Sequence, residues 1–415
     1  MLSAWTDASI WAGVLASGTL ATPLCVLLQR SRIAGGRPAA AIVAGLLAGL
    51  ILGPRVLGFA QPDLHHDLLL GSLTQQHALN ERLAEQAIER QALETIGVSP
   101  EAVLELDQQH HAELAPLRDA RDAAQRERAR DVLLPITALI AGLSLLAGLG
   151  SARGRTLADE PPAPGAIGGV LGFAFTALGI GALGAWIVGL PRGDAIALGA
   201  AAAGGSLLPG VATRWIPSLG RGACTGVAQA ACLGASAAAI AWAAPETRPW
   251  VALLAGAALT GMVLRAVAPA PGGSTRRALS RFARSALLTV ALPTLVALAF
   301  ARIDPAATLT EGWRVAIFIL LLIFLTGDGA HIGITLGYKV FGSAAQQHQA
   351  GLRAYEGVVG AGTGSAALAA VLLATNTLDP GVRTDAALLT AILLSAGALE
   401  LLAPASRHAI RHISP

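Results

Sequence analysis

The sequence predicts an all-α integral membrane protein of about eleven transmembrane helices carrying one extramembrane helical hairpin. Three observations predict it. Of the 415 residues, 54% are apolar and only 13% are charged, about half the charge of an ordinary soluble chain. Several apolar runs reach the ~20 residues that cross a bilayer as a helix. The alternating ten-residue segments that a closed transmembrane barrel requires do not occur in the sequence.

Apolar periodicity and Gly/Pro punctuation place the spans at about 9–28, 38–58, 132–150, 164–190, 194–211, 222–244, 249–268, 285–303, 314–341, 353–375 and 384–404. With eleven spans, one set of loops holds sixteen Lys and Arg: Arg30, Arg32, Arg37, Arg153, Arg155, Arg214, Arg221, Arg265, Arg276, Arg277, Arg281, Arg284, Lys339, Arg353, Arg407 and Arg411. The opposite short loops hold six, namely Arg55, Arg192, Arg248, Arg302, Arg314 and Arg383. The positive-inside rule then sets the N-terminus outside and the C-terminus in the cytoplasm of an inner-membrane, multi-pass protein. An even number of spans scrambles this asymmetry.

The net charge of +3 points to no acidic partner, and no basic cluster interleaved with aromatics suggests nucleic acid. Cys25, Cys224 and Cys232 fall in apolar segments without metal-ligand spacing and read as small packing residues. The first apolar run lacks a basic leader and reads as a retained span, and the chain stops soon after the last span, without a nucleotide-binding tail.

Residues 61–131 break the membrane pattern between spans 1–60 and the remaining blocks, 132–248 and 249–415. The stretch holds Glu81, Glu85, Glu89, Glu94, Glu101, Glu105 and Glu113 among good helix formers. Gly97-Val98-Ser99-Pro100 is a helix stop followed by a start. The prediction is a hairpin on the outer face, each arm roughly 40 Å long at ~1.5 Å per residue. Its expected seam sets Leu79, Leu83 and Ala87 against Leu104, Leu114 and Leu117, an irregular pattern suited to a hairpin or a partner-binding stalk. Five of the nine His lie here, including His65-His66 and His110-His111. Folding the arms at about residue 98 sets His110 opposite residue 86, far from His65, which favours a solvated face over a metal site.

The segment Gly36-Arg37-Pro38 through Gly53-Pro54-Arg55-Val56-Leu57-Gly58 carries glycines at 45, 49 and 53, a spacing that lets a neighbouring backbone approach closely. It resembles the second helix of the monovalent cation–proton antiporter superfamily, particularly its Kef-like branch, which has a Pro at the helix start and a Gly-Pro-x-x-Leu-Gly exit. Ile136 to Leu149 with Ser151-Ala152-Arg153-Gly154-Arg155, Leu287 to Pro305, and Gly351 to Arg411 are similar to further helices of that family. Its longer members have thirteen spans, so the middle of this chain is about two helices short of them.

The resemblance implies inverted repeats with two interrupted helices crossing near mid-membrane, a homodimer, and exchange of a monovalent cation for protons without a cofactor. Ala203-Gly204-Gly205-Ser206-Leu207-Leu208-Pro209-Gly210 and Gly360-Ala361-Gly362-Thr363-Gly364-Ser365 suit the two interruptions. Their Gly and Pro free backbone groups, and Ser206, Thr363 and Ser365 supply ligands; the other reading is a pair of flexible packing faces. The sequence departs from the family at the ion site. The customary Asp falls within Gln229 to Cys232, where no acid stands, and none occurs from Ala195 to Pro245.

Asp328 instead lies at the middle of span nine, with His331 one helical turn on. A carboxylate at that depth costs roughly 2.5–3.5 kcal/mol on insertion scales and so faces the protein interior. Asp328 assisted by His331 is a candidate proton carrier; the competing reading is a structural carboxylate bonded to amides of an interrupted helix. Glu356, one turn inside span ten, is a lesser candidate for the same role, as is Glu400, near the cytoplasmic end of span eleven where a side chain can snorkel. No catalytic constellation points to an enzyme. The alternative to a transporter is a transport-inactive relative whose hairpin, residues 61–131, binds a periplasmic protein.

Overall fold

The computed structural model describes residues 8–31, 37–96, 100–151, 163–196, 274–306, 310–325, 329–344 and 361–413, with scattered positions between 198 and 256 and residue 347. Every regular element among them is a helix. In order these are α1 (Ala8–Ser31), α2 (Arg37–Leu52), the short α3 (Leu57–Ala60) and α4 (Pro62–His65), α5 (Leu73–Ile96), α6 (Pro100–Ser151) and α7 (Ala163–Leu183). After these come α8 (Ser274–Ala286), α9 (Leu292–Phe300), α10 (Gly312–Ile323), α11 (Gly329–Phe341), α12 (Ala361–Ala374) and α13 (Arg383–Ile413).

Five helices are long and apolar enough to cross a membrane: Ile10–Ser31, Arg37–Ala60, Val170–Ile187, Ala278–Phe300 and Arg383–Leu401. Gly312–Ile323 and Thr363–Ala374 are shorter apolar helices. The protein is therefore membrane-embedded. Large exposed aromatic side chains agree with this, since Trp186, Trp242 and Trp313 stand on the surface. Ile187 and Arg314 line one cavity and Gly193 meets the Trp242 ring. The three tryptophans thus gather at one end of the helices, as an interfacial belt does.

α9 is the centre of the packing. Every residue from Leu292 to Phe300 is buried, because α1, α2, α6 and α12 surround it. Glycine makes the closest of these contacts possible. A Cβ at Gly45 would sit 2.6 Å from the Val296 Cβ and 2.7 Å from the Pro293 carbonyl oxygen. One at Gly49 would sit 2.8 Å from the Ala297 carbonyl oxygen. The small-residue spacing of α2 is thus spent on one partner, α9.

Contact order along the helices fixes their relative directions. α2 and α9 run the same way, since Gly45 meets Pro293, Gly49 meets Ala297 and Arg55 pairs with Asp304. α1 runs opposite to both, with Gly18 against Thr294 and Cys25 Sγ donating to the Leu288 carbonyl at 3.3 Å. α6 also opposes them: Arg302 reaches the Gln125 carbonyl, and Ser280 that of Ala147. α7 and α11 are antiparallel, because Thr176 bonds the Leu325 carbonyl while Gly333 abuts Gly168.

The hairpin is built from α5 and α6. α5 ends at Ile96 and α6 begins at Pro100, bracketing the Gly97-Pro100 stop and start. Gln86 Nε2 donates to the His110 carbonyl at 3.3 Å, the register that sets residue 110 opposite residue 86. The seam differs from the sequence expectation. Leu79 and Leu114 are buried, but Leu83, Ala87 and Leu104 are exposed. Gln86 and His110 take the inner positions, because each finds a polar partner there. The boundary drawn at 131 and 132 falls inside one continuous helix: α6 runs 52 residues with Pro116 and Pro135 inside it.

Candidate functional site

The expected ion-pathway residues Asp328, Glu356, Gln229 and Ser206, with Gly204, Gly205 and Pro209 of the first interruption, lie outside the described residues. His331 belongs to the first turn of α11, the helix that packs along α7. Thr363 and Ser365 are buried in α12, which packs on α6, α9 and α13 and touches α2. Gly362 and Gly364 fall in the first turns of α12, which is unbroken from Ala361 to Ala374. The structure thus packs α12, the helix that carries Thr363 and Ser365, on α9 and against α2. Glu400 is corrected from its expected snorkelling position, since it is 4% exposed within α13. Its neighbours along the helix, Ala396 and Leu399, are buried as well, so the carboxyl is enclosed.

The most developed polar site in the described residues lies where the hairpin joins the membrane helices. After α2 the chain makes α3, α4 and a π-helical turn, His66–Leu70, which Gly71 ends in a left-handed conformation (φ 66°). Glycine is needed there twice over, because the Arg128 side chain crosses it and a Cβ would fall 2.7 Å from the Arg128 Cγ. Arg302, in the turn after α9, donates to the Leu69 carbonyl at 2.6 Å and to the Gln125 carbonyl at 3.3 Å. The first bond lands on the carbonyl end of the π turn, where a cation is favoured.

Arg302 is 9% exposed. Burial, together with the Arg128 charge beside it, pushes its guanidinium down to about 9, which still leaves it charged at neutral pH. His65 Nε2 faces the Ala301 carbonyl at 3.3 Å. Burial holds the His65 imidazole below its ordinary value; the Ala301 bond opposes this and the Arg302 charge adds to it. His66 bonds Ser72, which also accepts from Gln125. A bidentate pair, Arg55 Nε and Nη2 to Asp304 at 2.8 and 3.0 Å, closes the same end. Burial works against the Asp304 carboxylate, but Arg55 and the Ala306 amide hold it below the ordinary range.

Two expectations change here. His65 and His110 are buried, so the hairpin histidines are not a solvated face throughout. His110 Nε2 pairs with Glu89 at 2.9 Å, beside an Arg82 network that includes Glu85 and Glu113. Among the described residues no group of three or more His, Cys, Asp or Glu is placed to hold a metal ion. By sequence alone Arg302 reads as a loop cation. The only sequence signal for its burial is its position one step past an unbroken apolar run, Leu295 to Ala301.

Comparison of the chain with protein-family models, curated proteins and solved structures finds no match.

Proposed function

We propose that this chain is a secondary transporter of the cation–proton antiporter type, exchanging a monovalent cation for protons across the inner membrane through an altered ion site. The observation that carries the reading is the α2–α9 crossing at Gly45 and Gly49, with the Gly/Ala-rich α12 and its buried Thr363 and Ser365 against it. Backbones this close, beside a helix that holds buried hydroxyls, suit helices that slide or rock rather than a static lipid-facing bundle.

In this reading there are eleven spans in two inverted repeats, the N-terminus is outside and the unit is a homodimer. The helix directions support the span count. α2 and α9 are spans two and eight, an even separation, and run the same way; α1 with α9, α6 with α9, and α7 with α11 are oddly separated and run opposite ways. Asp328, assisted by His331, takes the place of the missing carboxylate as the proton carrier.

The test is cation-driven proton movement in proteoliposomes carrying a pH dye. Dissipation of a preset gradient by Na⁺ or K⁺, abolished by Asp328→Asn, supports exchange. A wild type silent across cations and pH removes it.

A second reading, a transport-inactive scaffold whose hairpin binds a periplasmic protein, is favoured by one feature. The hairpin buries polar groups between its arms while Ile88, Ile96 and Leu104 remain 69%, 75% and 60% exposed.

A further inference from the structure

Helix α8 has two faces of different character. Ser280, Ala283 and, one turn later, Leu287 pack inward, with Ser280 Oγ donating to the Ala147 carbonyl of α6 at 2.7 Å. Leu279, Phe282 and, further along the same face, Val290 point away from the protein, Phe282 with 68% of its surface exposed. Arg281, Arg284 and Ser285 are exposed beside that apolar strip. The strip does not stop with α8. It continues into the apolar stretch Ala278–Phe300 that is long enough to cross the membrane.

Further arginines reach the same end from other helices. Arg30 is exposed at the end of α1, where its neighbour Gln29 reaches the Leu288 carbonyl at 3.5 Å, one turn past Arg284. Arg37 is exposed at the first residue of α2, which packs on α1. Arg276 and Arg277 stand in the first turn of α8. The stretches of chain that carry them hold no acid: no Asp or Glu occurs between Asp7 and Asp63, or between Glu246 and Asp304. Three helices therefore deliver cations to one end of the α9 core from carboxylate-free stretches.

Exposed arginines gathered at one end of the protein suit an anion, and the adjoining apolar strip says which kind. A soluble acidic partner could meet the arginines but could not follow Leu279, Phe282 and Val290 into the membrane-spanning stretch. A phospholipid does both. Its phosphate takes the planar, multidentate donors of arginine, and its acyl chains lie along the apolar face. Arginine stems can also lie on that face while their heads remain at headgroup level.

We propose that this end of the protein binds anionic phospholipid, with the headgroup phosphate on Arg281 and Arg284, a second headgroup position at Arg30 and Arg37, and the chains against Leu279, Phe282 and Val290. The site rests on membrane embedding and not on transport, so it stands whether or not the chain moves ions.

The test uses the full chain purified in detergent, with native mass spectrometry to count retained lipid. Dioleoyl phosphatidylglycerol is compared with dioleoyl phosphatidylcholine. Wild type is expected to retain the anionic lipid selectively. The double substitution Arg281→Gln and Arg284→Gln should lower that retention roughly tenfold or more without changing retention of phosphatidylcholine. Phe282→Ser should weaken retention while leaving headgroup selectivity intact. Arg192→Gln with Arg248→Gln, remote basic positions, should change neither. Millimolar inorganic phosphate should not displace the lipid. Equal retention of the two lipids by wild type overturns the proposal without recourse to any variant. So does unchanged retention in the Arg281 and Arg284 double variant. Displacement by phosphate would reassign the site to the free anion.

Discussion

The guanidinium of Arg302 donates to the carbonyl of Leu69 at 2.6 Å, across 233 residues of sequence, and so ties the end of α9 to the base of the hairpin. The same side chain reaches Gln125 of α6. One buried cation thus joins three separately encoded segments. Replacing it by Ala leaves two carbonyls without their donor in a place water does not freely reach. Arg302→Ala is expected to cost about 2–4 kcal/mol and to lower the unfolding midpoint measured by tryptophan fluorescence in detergent. Arg302→Lys, which keeps the charge but lacks the fork, should fall between. A wild-type midpoint for the Ala variant would show that the joint is held elsewhere.

Acidification should loosen the same joint. The His65 imidazole is held below 6.5, chiefly by burial, so the folded state binds fewer protons there than the unfolded chain does. Its contribution to stability is complete above pH 6.5 and is lost as the pH falls. Amide exchange over residues 62–72, corrected for its intrinsic pH dependence, should speed up several-fold between pH 7 and 5. His65→Gln keeps a donor for the Ala301 carbonyl and removes the titration, and should flatten most of the change. An acid step of full size in that variant would assign the effect to another group, His66 first.

The α2–α9 crossing makes a steric prediction. Gly45→Val places a branched side chain where Val296 and the Pro293 carbonyl already stand. Even with partial relaxation, such overpacking costs about 1–3 kcal/mol or more. A sharp loss of folded protein in size-exclusion chromatography is expected. Gly142→Ala in α6 is the control, because a Cβ there meets nothing within 4 Å; its expected effect is neutral or slightly stabilising. Similar yields for the two variants would deny the tight crossing.

In the hairpin, burial and not apolarity decides which leucines matter. Leu79→Ala and Leu114→Ala should each cost about 2–3 kcal/mol, since both side chains are enclosed. Leu83→Gln and Leu104→Gln should stay within about 0.5 kcal/mol. Denaturant titrations followed by circular dichroism distinguish the pairs, and equal costs across all four would restore the seam expected from sequence.

Much of the scaffold was legible in the residues themselves. Apolar run length and Pro38 mark out α2, and Gly97 with Pro100 marks the tip of the hairpin, because glycine and proline act on the backbone wherever they stand. The register of residue 86 against 110 follows once the tip is located. What sequence could not supply was the identity of the buried polar groups. Gln86, His110, His65 and Arg302 all have the composition of surface residues. Each is inside because a partner far along the chain satisfies it: the His110 carbonyl for Gln86, Glu89 for His110, Ala301 for His65, and Leu69 and Gln125 for Arg302. Periodicity carries no information about such pairings. Of the apolar positions it did flag, Leu79 and Leu114 are buried, whereas Leu83 and Leu104 are exposed while Gln86 and His110 lie inside. Of the candidate ion pathway, the described residues hold His331, Thr363 and Ser365, and the burial of the last two in α12 agrees with their place in an apolar, Ala-rich run.

Because α6 is one helix from the tip of the hairpin to its contact with α8, it transmits rotational phase as well as position. Each residue added or removed along it turns everything beyond by about 100° at ~3.6 residues per turn. A single-residue insertion near residue 120 would therefore force a choice. Either the Gln86–His110 register survives and the face meeting Ser280 swings away, or the membrane face holds and the hairpin arms lose their pairing. Length changes in this hairpin are tolerable between the end of α5 at Ile96 and the start of α6 at Pro100, or as a seven-residue step that nearly restores the angle. The hairpin is therefore geared to the membrane helices as a shaft is, and evolution or engineering can lengthen it only in whole, phase-preserving increments.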